Sequence, residues 1–332
     1  MKIIKIILCI FIISLINTKI ALAEEFESWV LSFKSYAIKE GISKKTLDET
    51  MSKVKFLPKV IEYDRYQPEF YEDTKTYISK RTSNDKLKKG TELFNKNNAF
   101  ISDIESKFGV EKELLLSLMG IETNFGTYLG KMDILSSLAT LSFDKRRSEF
   151  FTQELITILK LIDSGTIDRN ILYGSWAGAF GNFQFMPSTI NRYAIDYNND
   201  NLIDLKSTED SFASAANYIN KLGWKKNNPC FYRVKLRENI PVKFLNTSAK
   251  KIKNKKKLKD FAEYIINYEN IKINKNLVVG IITPDREIVE NSKLLEPAYL
   301  TFSNYDLILK WNRSLRFALA VCTLKDKFKN EL

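Results

Sequence analysis

Where an apolar helix should end, the chain places a glutamate. Leu114, Leu115, Leu118, Met119 and Ile121 make an almost wholly apolar helical segment, Glu122 falls in its last turn, and Gly126 follows. Apolar surroundings disfavour a carboxylate's charge, and so does the negative end of a helix dipole. Both raise its proton affinity, the property a general acid needs to protonate a glycosidic oxygen. The plain alternative is a helix-end glutamate turned to solvent, and the local pattern fits either. The chain has no histidine. That removes Ser-His-Asp and Cys-His catalysis and nearly every catalytic zinc site. Acid–base work falls to carboxylates, Lys, Tyr and Ser.

A second constellation runs from Gly174 to Pro187. It mixes glycines with Trp176, Phe180, Phe183 and Phe185, and with the neutral hydrogen-bonding side chains of Ser175, Asn182 and Gln184. Aromatic faces cover the C–H surfaces of sugars, and such polar groups bind hydroxyl and acetamido groups. A glycine-punctuated core loop, in which the phenylalanines only pack, is the competing reading. A third pattern begins at Asp196 and resembles the start of an EF-hand. Asp196, Asn198 and Asp200 supply oxygens at positions 1, 3 and 5, with the Leu202 carbonyl at 7. Asn201 stands where glycine is usual, and Ser207 where the closing glutamate should be. An Asn/Asp turn would look the same.

These groups need a scaffold, and most of it reads as helix. Phe26, Trp29, Val30, Phe33 and Ile38 recur at helical spacing, Ser43 suits an N-cap, and Leu87 to Phe108 reads as one helix closed by Gly109. Eight of the twelve glycines lie between Gly109 and Gly181, marking the region where backbone approaches a ligand. Beyond Phe231 the texture changes. Tyr232–Leu236 and Asn276–Thr283 read as strands, and Trp311–Phe328 as a closing helix. The composition, 44% hydrophobic and 28% charged, is that of a chain with a sizeable core.

The first residues read as an export signal. Lys2 and Lys5 precede an apolar run from Ile6 to Ile16, and Ala21-Leu22-Ala23 matches a cleavage site. The eleven residues of that run span only about 16 Å as a helix, too short for a bilayer core. No membrane span is expected after cleavage, and the periplasm is the expected compartment. The net charge of +12, or +9 without Lys2, Lys5 and Lys19, suits an anionic partner such as the carboxylate-bearing wall. Nucleic acid does not fit that compartment. Cys230 and Cys322 could pair there, although nothing local supports it. Lys250 to Lys259 holds seven lysines in ten positions. It reads first as a solvated loop, and second as a tether to anionic wall or lipid.

Several motifs in one order carry a family resemblance. Gln67–Phe70, Ile121–Gly126, Leu138–Phe143, Gly174–Pro187, Ala216–Ile219, Gly223-Trp224, Trp311–Ser314 and Ala318–Val321 resemble the lytic murein transglycosylase B family. The resemblance implies a mainly α (α+β) fold. Its expected parts are a signal peptide (1–23), an N-terminal helical domain (24–89), a lysozyme-like catalytic core (90–229), a small β-containing segment (230–300) and a C-terminal helix returning to the core (301–332). The EF-hand-like loop (196–210) lies in the core.

The activity implied is cleavage of the β-1,4 bond between N-acetylmuramic acid and N-acetylglucosamine in peptidoglycan glycan strands. Glu122 would serve as the single acid and base, leaving 1,6-anhydromuramic acid ends. Ser175, Gln184, Tyr218 and Asn312 match positions that line the family's cleft, while Trp311 replaces an aromatic that is often Tyr. A later aspartate, here Asp210, would complete a structural Ca²⁺ site with Asp196, Asn198, Asp200 and Leu202, and no organic cofactor is implied. A muramidase-type hydrolase on the same fold, a wall-binding scaffold without catalysis and a cation-dependent interaction module are the alternatives. Protein partners are not legible.

Overall fold

The computed structural model describes residues 22–66, 72–286, 289 and 293–332. The signal segment up to residue 21 and the Gln67–Phe70 motif lie outside the described residues. Among the described residues the fold is mainly helical with two small sheets. Its packing resolves into two units, each assembled from separate stretches: Met1–Tyr66 with Leu129–Arg192 and Asn198–Asp204, and Gln67–Tyr128 with Tyr193–Tyr197 and Leu205–Leu332.

The first unit centres on the Ile134–Phe143 helix, of which all but the last residue is buried. Asp133 caps it by accepting from the Ser136 amide at 2.7 Å. The Ser148–Asp163 helix packs along it, and helices at 22–39, Lys44–Thr50 and Pro58–Arg65 complete the unit. Phe26 and Phe56 meet Phe143 edge-on, with centroids 5.5 and 5.7 Å apart. Phe26, 3% exposed, is the buried ring of the three, and full burial of such a ring contributes about 1.5–3 kcal/mol. Asp64, only 3% exposed, is held by Arg146 and Arg147. Ser43 is the N-cap that the sequence predicts, accepting from the Thr46 amide at 3.2 Å.

The second unit is built around the Lys112–Thr123 helix, which ends at the candidate acid. The Leu315–Glu331 helix packs against it, as do Asn84–Lys96 and Asn98–Phe108. Glu111, at the N-terminus of the Lys112–Thr123 helix, is buried. It accepts hydrogen bonds from the Trp224 indole and, at 2.9 Å, from the Asn227 amide. The Gly223-Trp224 pair thus has a structural task. Cys230 and Cys322 form a disulfide, their Cα atoms 6.1 Å apart. It ties the C-terminal helix to the start of the sheet and resolves a pairing that sequence leaves open.

In that sheet Ala298–Thr301 is flanked by Phe231–Val234 and Val278–Ile282, antiparallel to both. Leu245–Asn246 adds a parallel edge, and Lys256–Lys257 pairs Val278–Ile282 from the lysine run. Phe244, Leu258, Phe261, Ile281 and Leu300 fill the core beneath it.

Two expectations need correction, and one element was missed. Leu87–Phe108 is two helices, parted at Asn97, whose φ of −122° leaves the helical region and whose side chain donates to the Leu93 carbonyl at 2.9 Å. Trp311–Phe328 is also two. Ser303–Trp311 stops at extended Asn312 (φ −139°), and Ser314 caps Leu315–Glu331 by accepting from the Phe317 amide at 3.2 Å. The strand Ala298–Thr301 escapes sequence reading because all four residues are buried, so no alternation marks it.

Candidate active site

Glu122 is presented by an unusual helix ending. Asn124, Phe125 and Gly126 all adopt left-handed conformations, with φ of 50°, 60° and 79°. For Phe125 this costs about 1–3 kcal/mol, and packing must offset it. The ring supplies that packing, fitting where Gly90 and Gly120 leave room; a Cβ on Gly120 would sit 2.7 Å from the ring edge. Phe328 meets the same ring edge-on at 6.5 Å. Thr123 fastens the turn by accepting from the Gly126 amide at 3.0 Å.

With the backbone fixed, the half-buried carboxylate receives a neutral donor. Trp311 gives its indole N–H to Glu122 Oε1 at 3.0 Å. The indole lies on a stack of rings, Trp311 on Tyr218 at 5.1 Å and Tyr218 on Tyr193 at 4.4 Å, all within 25° of parallel. The Tyr218 hydroxyl donates to the Lys310 carbonyl at 3.3 Å. A neutral donor can orient a carboxyl group in either protonation state.

Glu122 also borders a pocket of about 370 Å³, together with Thr123, Asn124, Tyr128, Lys80, Lys86 and Lys89. Lys86 donates to the Gly120 carbonyl near the helix end. Burial pushes its ammonium below the usual lysine range, and the charges of Arg81 and Lys89 add to this. This unit therefore joins Glu122, Tyr218 and Trp311, with Asn312 next in chain. Tyr193 and the lysines are additions that sequence reading missed. Tyr193 lies outside the motifs of the resemblance, and no local signal marks Lys86 among so many lysines.

Ser175 and Gln184 belong to the first unit. Met132–Asp133 pairs antiparallel with Tyr173–Gly174. Gly130 lies so close to the Gly174 carbonyl that no side chain fits between them. Ser175 Oγ accepts from the Ala179 amide at 3.1 Å, and the Ser175 amide donates to the Ala179 carbonyl at 2.8 Å. Gln184 adopts φ 49° and donates to the Gly181 and Leu129 carbonyls at 2.9 and 3.3 Å. Phe180, Phe183 and Phe185 are core residues, while Trp176 stays half-exposed. At the end of the run Glu154 accepts from the Ser188 amide and hydroxyl at 2.8 and 2.7 Å.

In the loop after Asp196, Asn201 does adopt the left-handed turn that glycine usually makes, with φ 72°, and Asn199 is left-handed at 60°. The Asp200 amide donates to Asn198 Oδ1 at 3.2 Å and the Leu202 amide to Asp200 Oδ1 at 2.8 Å. Asp210, fully buried, accepts from the Tyr197 amide at 2.8 Å. These are oxygen donors in turn geometry, which suits a hard cation. Among the described residues, no three His, Cys, Asp or Glu side chains form a ready metal cluster.

The family model described as Transglycosylase SLT domain matches residues 25–326. The chain belongs to that family. Membrane-bound lytic murein transglycosylase B of Escherichia coli K12 is 37% identical to this transglycosylase-family chain over 153 residues, 46% of the chain and 42% of that relative. The match thus spans less than half the length of the curated relative. Among solved structures, SltB3 from Pseudomonas aeruginosa in complex with NAG-NAM-pentapeptide superimposes with a TM-score of 0.80 at 29% identity, over 92% of this chain and 79% of that one. The E. coli lytic transglycosylase Slt35 in complex with calcium gives a TM-score of 0.74 at 26% identity, over 91% and 93%. The transglycosylase-family chain thus has the mainly helical, lysozyme-like fold expected of it.

Proposed function

We propose that the chain is a peptidoglycan lytic transglycosylase, with Glu122 as its acid and then its base. The observation that carries the reading is the neutral clamp on one carboxylate: Trp311 holds Glu122 Oε1 at 3.0 Å on a buttressed ring stack. A residue that must give up a proton and take one back needs an orienting partner that tolerates both states. Family membership and the SltB3 relative with its muropeptide ligand support the substrate class.

The reaction then runs in two proton transfers. Protonated Glu122 donates to the glycosidic oxygen as the bond to C1 of the muramoyl residue breaks, and the N-acetylglucosamine end leaves as an alcohol. The carboxylate next takes the proton of the muramoyl 6-hydroxyl, whose oxygen bonds to C1 and closes the 1,6-anhydro ring. No water is consumed, so the second carboxylate that ordinary glycosidases require has no task. On this reading Ser175 and Asn312 contact the reacting sugar, while Gln184 and Tyr218 orient substrate or Glu122. The catalytic core is assigned to residues 90–229, between an N-terminal helical domain (24–89) and the β-containing segment (230–300). Residues 301–332 return to the core.

Calcium is assigned to the Asp196–Asp210 loop, held by Asp196, Asn198, Asp200, the Leu202 carbonyl and Asp210, in a structural role. The calcium-bound Slt35 relative supports this. The periplasm is the proposed compartment, on the leader motif and a wall substrate. No helix among the described residues is long and apolar enough to cross a membrane.

The test is mass spectrometry of soluble products from purified peptidoglycan. Muropeptides ending in 1,6-anhydromuramic acid are expected, with Glu122→Gln lowering their release by about 10³-fold while the folded-state circular dichroism is kept. Reducing ends would make the chain a hydrolase, and an active Glu122→Gln would show that another group is the acid.

A further inference from the structure

The lysine run is the sequence motif that the proposed reaction leaves unused, and it belongs to a larger accumulation of charge. Residues 230–300 hold fifteen Lys and Arg against eight Asp and Glu, a net +7 of the chain's +12. With the leader's Lys2, Lys5 and Lys19 set aside, only +2 is left for the rest of the chain.

The backbone that carries the run is ordered. Ile252, 5% exposed, is seated over Gly280 so closely that a side chain there would collide with it. Asn246 closes the preceding turn. Its side chain donates to the Phe244, Lys253 and Ile281 carbonyls at 3.1, 3.2 and 2.9 Å and accepts from the Lys253 amide at 2.7 Å. Of the seven lysines in the run, only Lys255 forms an ion pair among the described residues, with Asp306. The other six are exposed.

The same edge carries uncovered apolar side chains. The Asn254 side chain donates to the Lys243 carbonyl, which fixes the short Val242–Phe244 turn beside the run. Lys243 and Lys256 both lie over the Phe244 ring, 5.3 and 4.9 Å from its centre. Val242, next to Lys243, is 54% exposed. In the sheet Lys257 pairs with Val278, which is 55% exposed. Directly paired residues point to the same face of a sheet, so Val278 stands beside the Lys257 side chain.

Charge selects an anionic partner, and the valines select among anions. A carboxylate-bearing wall or a soluble polyphosphate is hydrated throughout and gives an exposed valine nothing to enter. A bilayer surface offers headgroup phosphates with an apolar boundary just beneath them. Lysines meet such phosphates as point charges that tolerate varied geometry. The leader motif also brings the exported chain out at that surface.

We propose that this edge of the β-containing segment docks the chain on an anionic lipid surface. The lysines attract it and the valines enter the headgroup boundary, giving a reversible attachment that salt weakens. On the transglycosylase reading, cutting is then confined to wall within reach of the membrane.

The experiment uses the exported chain from Glu24, since the apolar leader would bind lipid by itself. Wild type, Lys250→Gln/Lys253→Gln/Lys257→Gln and Val242→Ser/Val278→Ser are co-sedimented with two kinds of vesicle: phosphatidylcholine alone, and an equal mixture with phosphatidylglycerol. All five positions are exposed, so the folded circular dichroism should be kept. Wild type is expected to bind the mixed vesicles, to release them as salt is raised, and to ignore phosphatidylcholine alone. A lysine near an anionic surface is worth about fivefold in partition, so the triple variant should bind about 100-fold less. The valine variant should bind about tenfold less.

No binding by wild type, equal binding to both vesicles, or an undiminished lysine variant would overturn the proposal. So would a loss in the lysine variant with none in the valine variant, which makes the edge a contact for hydrated polyanions. Vesicle binding is read apart from cleavage. A wild type that binds vesicles but cuts no peptidoglycan keeps the lipid contact and ends the transglycosylase reading.

Discussion

At the residue scale the informative group is Trp311. Phenylalanine there keeps an aromatic ring on Tyr218 but removes the indole N–H. A hydrogen bond to a charged group is worth about 1.5–3 kcal/mol, so Trp311→Phe should lower kcat by about 10- to 100-fold with little change in KM. Steady-state kinetics on soluble muropeptides checks this, and a loss confined to KM would move Trp311 from orienting the acid to holding substrate. The placing of Glu122 at the end of an apolar helix was legible in sequence because the apolar spacing and the following Gly126 are local features. Its clamp was not, since the contact joins positions 189 apart. Trp311 could be flagged only as a departure from a family motif, and Tyr193 joins its stack from outside every such motif.

At the scale of elements, two pieces make separate claims. The Asp196–Asp210 loop has its turns set by Asn199 and Asn201, so cation binding should add stability without building the turn. Wild type is expected to gain about 4 °C in melting temperature with calcium in large excess. Asp200→Ala should lose that gain, and identical calcium shifts for both proteins would remove the site. The other piece is Glu105 on the Asn98–Phe108 helix. Burial pushes its carboxyl up, but Lys226 at 2.7 Å and the charge of Lys112 outweigh this and hold it below the usual range. A depressed folded value stabilises the fold above the unfolded value and is lost as pH falls through the folded one. Glu105→Gln should therefore melt lower than wild type at pH 7, and the gap should close as pH drops below 4.5. A constant gap would leave packing, not charge, as the cause. Periodicity finds the helices, but their breaks at Asn97 and Asn312 depend on side-chain bonds and caps that periodicity does not register.

Across the whole molecule, the Cys230–Cys322 disulfide closes a stretch of 92 positions. A loop that long restrains the unfolded chain by about 3–5 kcal/mol, so reduction should lower the urea midpoint by a matching amount. An unchanged midpoint would mean that the C-terminal helix holds the sheet by packing alone. Fold class and the order of motifs were readable because each motif is a few residues long. The pairing of the cysteines was not, because it depends on where two distant elements meet.

The clamp on Glu122 also has a kinetic meaning. Contacts between distant positions form late, since the loop they close costs entropy before it is rewarded. The acid's helix can fold from local interactions, while its orienting indole arrives only when the Ser303–Trp311 helix docks. On the proposed reading bond cleavage reports completion of the second unit: a folding intermediate or a chain clipped ahead of Trp311 would carry Glu122 yet leave the wall uncut.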